Sequence, residues 1–131
     1  MTRDQNFLKS NYPDDLIKKA KQIELLAFDV DGVLTDGGLY YDHEGNESKK
    51  FFAQDGHGIK ILQSIGIEIM IISGRQSASV NHRAKELGIK YVVQGSRDKL
   101  KSFYDQKISI SLEKVCFVGD DTVDVEILSS V

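Results

Sequence analysis

Four short runs along the chain are apolar at every position and stop abruptly at polar residues. They lie at 25–28, 69–72, 91–93 and 115–118 and read LLAF, IMII, YVV and VCFV. A strand with one wet face alternates apolar and polar positions. Short uninterrupted runs therefore predict strands covered on both faces, as in a parallel sheet. Amphipathic segments at 58–65, 77–87 and 98–107 separate them, and Gly66 and Gly88 follow two of these where helices commonly end. Alternating strand and helix predicts a doubly wound, mainly parallel α/β (Rossmann-like) fold with right-handed crossovers.

Outside this rhythm, Pro13, Asp14 and Asp15 predict a helix start, with proline tolerated in the first turn and acids at the positive dipole end. That helix is expected to run to about Gln22, and residues 1–10 are expected to fray. Residues 39–41, a glycine-containing turn at 42–46 and residues 47–52 read as a β-hairpin projecting after the first strand. Near the end, Asp124-Val125-Glu126-Ile127-Leu128 begins a helix. The strand before it has no following strand to pair with, so the expectation is one domain over 1–131, truncated at its C-terminus, with the 115–118 strand at an exposed edge.

A length of 131 residues suits a single core. The net charge of −3, from 17 basic and 20 acidic side chains, argues against nucleic acid as the default partner. It leaves room for a small phosphorylated ligand, which needs only a local cluster of cations. The lone Cys116 excludes a disulfide within the chain and is expected to be an inert core thiol. No apolar run approaches membrane-span length, and the N-terminus lacks the apolar core of a signal peptide, so a cytoplasmic protein with no membrane partner is expected.

Chemistry enters at the strand ends. Ligands of open parallel sheets gather outside the carboxyl ends of the strands. The first run ends in Asp29-Val30-Asp31-Gly32-Val33-Leu34-Thr35, the second in Ser73-Gly74-Arg75, and the last in Gly119-Asp120-Asp121 with Asp124 a helical turn beyond. Lys99 opens the helix before that last strand. A phosphate ester's transition state carries charge on its non-bridging oxygens, so catalysis is mainly positioning and electrostatic stabilisation. Asp29, Asp31 and Asp120 form an oxygen-rich set suited to Mg²⁺. A carboxylate is also an established nucleophile for phosphorus, Ser73 can donate a hydrogen bond to a phosphoryl oxygen, and Lys99 can add a point charge. Taken singly, each residue has an ordinary reading: an Asp after a strand caps a turn, and a helical Lys is solvated. Four pieces in order, at equivalent strand ends or beside one, point to phosphoryl transfer.

These four motifs resemble those of the haloacid dehalogenase superfamily. The resemblance implies that Asp29 is the nucleophile and Asp31 the general acid/base. It also implies Mg²⁺ held by Asp29, the Asp31 backbone carbonyl and Asp120, with Asp121 or Asp124 assisting through water or Lys99. The segments 26–36, the hairpin, Asp55-Gly56-His57-Gly58-Ile59-Lys60, Arg83 with Leu87-Gly88-Ile89, and 94–100 narrow the likeness to the family of 3-deoxy-D-manno-octulosonate 8-phosphate phosphatases. That likeness implies no separate cap domain, a homotetramer assembled through the hairpins, and a neighbouring subunit closing each site. It further implies a sugar-acid pocket lined by Phe52, Ala53, Gln54, Asp55, Gly56, Lys60, Arg75 and Arg83 beside Asp31 and Lys99. The implied reaction is hydrolysis of an eight-carbon 3-deoxy sugar acid phosphate on the way to lipopolysaccharide. Two rivals are a phosphatase for a nine-carbon sialic-acid-type phosphate and a non-catalytic oligomerisation module.

Overall fold

The structure, a computed structural model, describes residues 11–131. The fraying expected of residues 1–10 falls outside them. Three of the four apolar runs form strands as read, and the second begins one residue earlier. β1 is Leu25–Phe28, β4 is Glu68–Ile72, β5 is Tyr91–Val93 and β6 is Val115–Val118, joined in the order β5-β4-β1-β6. All three pairings are parallel. The reason for the uninterrupted apolar runs is visible in β4. Ile69 and Ile71 belong to a cluster on one face, with Ile59, Val80, Ala84 and Leu87. Met70 and Ile72 belong to a cluster on the other, with Phe103, Phe117 and Ile127. Neighbouring side chains point to opposite faces, and each face has its own core.

The helices supply those cores. After α1, Asp14–Ala20, the first in chain order of the helices placed among the described residues, they are α2, Ala53–Ser64; α3, Ala78–Leu87; α4, Lys99–Asp105; and α5, Val125–Leu128. α2 and α3 cover the first face, α4 and α5 the second. Their ends follow local chemistry. Ser77 accepts from the Ser79 backbone and Asp98 from that of Lys101, capping α3 and α4. Gly88 closes α3 at φ +68°, left-handed backbone that a side chain would strain. α4 stops at Asp105, two residues before the expected end, and Lys107 then turns at φ +52°. α1 stops two residues short of Gln22, whose N–H bonds the Lys19 carbonyl in a turn.

Two differences from the sequence reading are larger. α2 begins five residues before Gly58, because Gly56 lies under Arg83. A Cβ at Gly56 would sit 2.3 Å from Arg83 Nη2, so glycine here serves close packing and does not break the helix. The hairpin is shorter than 39–52: β2, Tyr40–Tyr41, pairs with β3, Glu47–Ser48, and a separate bridge joins Thr35 to Phe51. Asp42 shapes its turn by accepting from the Glu44 and Asn46 backbones. The predicted helix at Asp124 is preceded by a 3-10 turn, Thr122–Asp124. β6 pairs with β1 alone among the described residues, so it forms an edge. Cys116 is only partly buried, and burial pushes its thiol above the usual range. No helix among the described residues is long and apolar enough to cross a membrane.

Candidate active site

Register brings the motifs together. Phe28 pairs with Ile71 on one side and Val118 on the other, so Asp29, Ser73 and Gly119 follow at one rim of the sheet. The Asp29 N–H bonds the Val118 carbonyl at 2.9 Å, and the Ser73 N–H bonds the Val93 carbonyl at 2.9 Å. Asp29, Asp31, Gly32, Ser73, Arg75, Lys99, Asp120 and Asp121 line one open cavity of about 290 Å³.

A buried cation anchors the centre. The Lys99 side chain is 3% exposed; its Nζ lies 3.1 Å from Asp29 Oδ1 and is ion-paired with Asp124 Oδ1. Asp124 is wholly buried, and its other oxygen accepts from the backbones of Asp120 at 3.1 Å and Asp121 at 3.2 Å. Both Asp124 oxygens are therefore engaged in holding the loop and Lys99. Asp121 spends an oxygen capping Thr122, at 2.6 Å from its N–H. Burial is the largest influence on Asp29 and raises its carboxyl above the ordinary range. The Asp124 charge adds to this; a hydrogen bond from the Val30 backbone and the Lys99 ammonium oppose it.

Oxygens of Asp29, Asp120 and Asp124 all lie within 4.8 Å of one another. Asp120 is exposed, and its carboxylate has no hydrogen-bonded or ion-paired partner among the described residues. A buried carboxylate facing an unpartnered one suits a hard divalent cation that prefers oxygen and keeps waters. The close approach depends on Gly32, at φ +81°: a Cβ there would lie 2.0 Å from Asp120 Oδ2. The Asp31 carboxylate is not part of this triad, although it lines the same cavity.

Asp31 meets the hairpin instead. Lys49 Nζ lies 2.5 Å from Asp31 Oδ1 and 2.7 Å from Glu47 Oε1, with the Lys49 side chain only 2% exposed. Arg75 Nη2 lies 2.5 Å from Glu47 Oε2, and Arg75 Nε lies 3.8 Å from Asp31 Oδ2. Hydrogen bonds from Lys49 and then Arg75 hold the Glu47 carboxyl below the usual range. Sequence reasoning missed Glu47 and Lys49. Both lie in the segment read only as a hairpin arm, away from the parallel strands' carboxyl ends, and Lys49 sits 18 positions from Asp31.

The remaining expected residues divide. Ala53 and Arg83 line a second cavity of about 580 Å³ with Lys49, Phe51 and His82. Phe52, Asp55 and Gly56 line a narrow cleft with Arg83, which donates to the Phe52 carbonyl at 3.4 Å. Gln54 and Lys60 are exposed and line none of these cavities.

This fold has counterparts among known proteins. A HAD-superfamily (subfamily III A) hydrolase of Legionella pneumophila superposes with a TM-score of 0.87 at 36% identity, over 99% of this chain and 70% of its own. A 3-deoxy-D-manno-octulosonate 8-phosphate phosphatase of Moraxella catarrhalis, in complex with magnesium, phosphate and KDO, superposes with a TM-score of 0.84 at 44% identity. That match covers 88% of this chain and 67% of the other. The chain belongs to the 3-deoxy-D-manno-octulosonate 8-phosphate phosphatase family of the haloacid dehalogenase superfamily. The curated phosphatase KdsC of Escherichia coli K12 is 43% identical to this family member over 119 residues, 89% of this chain. The chain spans 63% of that relative's length. No protein-family model matches it.

Proposed function

We propose that the chain catalyses Mg²⁺-dependent hydrolysis of 3-deoxy-D-manno-octulosonate 8-phosphate to the free sugar acid and phosphate, through an aspartyl-phosphate on Asp29. The observation that carries this reading is the gathering of Asp29, Lys99, Asp120 and Asp124 at the carboxyl rim, with Ser73 and Asp31 in the same cavity. The relative crystallised with magnesium, phosphate and KDO supports both cofactor and substrate.

Asp29 and Asp120, with the Asp31 backbone carbonyl, would hold the cation, and Asp121 and Asp124 would assist. Bound there, Mg²⁺ would offset negative charge so that a carboxylate can approach a phosphate dianion. Asp29 attacks phosphorus; its Oδ–P bond forms as the ester P–O bond breaks. Asp31 gives its proton to the departing alcohol oxygen, then takes one from the water that opens the aspartyl-phosphate. Lys99 and the Ser73 hydroxyl hold phosphoryl oxygens. Arg75 and Arg83 offer planar donors to the sugar acid's carboxylate, beside Phe52, Ala53, Gln54, Asp55, Gly56 and Lys60. The reading includes a cytoplasmic homotetramer joined through the hairpins and a place in lipopolysaccharide synthesis.

Phosphate release from the eight-carbon substrate, with Mg²⁺ and after chelation, tests the proposal, with the nine-carbon 9-phosphate as a competitor. Asp29→Asn should retain the fold by circular dichroism and lose turnover. Persistent turnover in that variant would remove Asp29 from the nucleophile's role.

A further inference from the structure

Four charges form a closed ring between the hairpin and the catalytic loop: Asp31, Lys49, Glu47 and Arg75. Two of its members, Glu47 and Lys49, belong to no part of the mechanism above. We propose that Lys49 is a positioning residue for Asp31, itself held in place by Glu47. The proposal rests on the reading of Asp31 as the general acid/base.

The argument is geometric. Asp31 follows the strand on a turning loop, and a carboxylate there has several rotamers open to it. Lys49 reaches it from the hairpin at 2.5 Å and occupies Oδ1. Its side chain is 2% exposed, so water competes little for the ammonium. Oδ2 is left as the oxygen that carries the proton, since Arg75 Nε, at 3.8 Å, lies beyond hydrogen-bond length. Glu47 holds the Lys49 ammonium at 2.7 Å, so the cation that reaches Asp31 is itself fixed. In the chemical step the Oδ2 proton passes to the ester oxygen as the P–O bond breaks. The bonding electron pair stays on that oxygen, and the alcohol leaves neutral.

Leaving-group dependence separates this role from a structural one. An alkyl ester needs the proton, whereas the p-nitrophenyl ester releases a stable anion without it. The full chain is assayed with Mg²⁺ on 3-deoxy-D-manno-octulosonate 8-phosphate and on p-nitrophenyl phosphate. The comparison uses kcat/KM, which covers the steps up to release of the alcohol. Lys49→Met should lower kcat/KM for the alkyl ester about 10- to 100-fold, within what a positioned acid supplies, and for the aryl ester less than about 3-fold. Inhibition by orthophosphate should keep its strength. Glu47→Gln should shift the ratio the same way by less, and Lys49→Arg should restore part of it. These two variants carry the test if Lys49→Met fails to give a native circular dichroism spectrum. An equal fall on both esters, or weaker orthophosphate inhibition in step with the rate, overturns the positioning role and leaves the phosphatase reading intact. Absence of Mg²⁺-dependent hydrolysis of either ester by the unmodified chain overturns that reading, and this inference with it.

Discussion

Lys99 shows how one buried charge organises the catalytic rim. Its ammonium lies between Asp29 and Asp124, both buried, and on its own a lysine in such surroundings would be costly. The cost is offset because two carboxylates need a counter-charge there. Removing the cation strands them. Lys99→Met should therefore destabilise the protein by about 3–5 kcal/mol, as breaking one partner out of a buried ion pair does. Urea unfolding without metal measures this. Mg²⁺ should recover part of the loss, because a cation at the triad supplies the charge that the lysine no longer does. The pH dependence has a definite sign. Asp29 already titrates above the ordinary range through burial, so its ionisation costs stability at neutral pH. A carboxyl raised in the folded state favours folding below its unfolded pKa and loses that contribution as pH rises through the folded one. Losing Lys99 raises Asp29 further, so the variant's deficit should narrow as the solution is acidified. A deficit that is constant with pH and indifferent to Mg²⁺ would contradict this account of Lys99.

Among the elements, legibility followed how local the causes were. β4 was readable because each residue of Ile69–Ile72 meets a core on its own side, leaving no polar position to confuse the pattern. α3 was readable at its end because Gly88 supplies the left-handed backbone its closure uses. The start of α2 was not, since Gly56 and Gly58 weaken helical propensity and only the distant Arg83 explains Gly56. The strand-end aspartates were legible as a set, but the Asp31–Lys49 pair was not, because it depends on where the hairpin folds back. Asp98 is a case of local sequence reaching the site: its side chain caps α4 through the Lys101 N–H at 2.8 Å, and Lys99 is the helix's first residue. Asp98→Ala should cost about 1 kcal/mol in urea unfolding. It should also slow phosphate release several-fold, because a frayed first turn loosens Lys99. Unchanged release alongside lowered stability would mean that Lys99 is held by its carboxylates alone.

For the whole molecule, the hairpin is the part that packing within one chain explains least. Two paired residues on each side cannot hold such a structure on their own. Its ring of charges with Asp31 and Arg75 ties it down at one end, while Leu39, Tyr40 and Tyr41 stand 56%, 43% and 56% exposed. Adjacent large side chains left exposed in this way suit a surface covered by other copies. The proposed homotetramer places that cover on the hairpins and makes Leu39 a sensitive probe, because it is half exposed and lies outside the charge ring. Leu39→Asp would put a charge into an apolar contact between subunits while leaving the single-chain core untouched. Sedimentation equilibrium should give the unmodified chain a tetramer's mass and the variant a monomer's, with similar circular dichroism spectra. Dissociation should also lower the rate on the alkyl phosphate more than on p-nitrophenyl phosphate, since a hairpin freed of its neighbours loosens Lys49 from Asp31. An unmodified chain of monomer mass, or a variant that stays tetrameric, would rule out assembly through this surface.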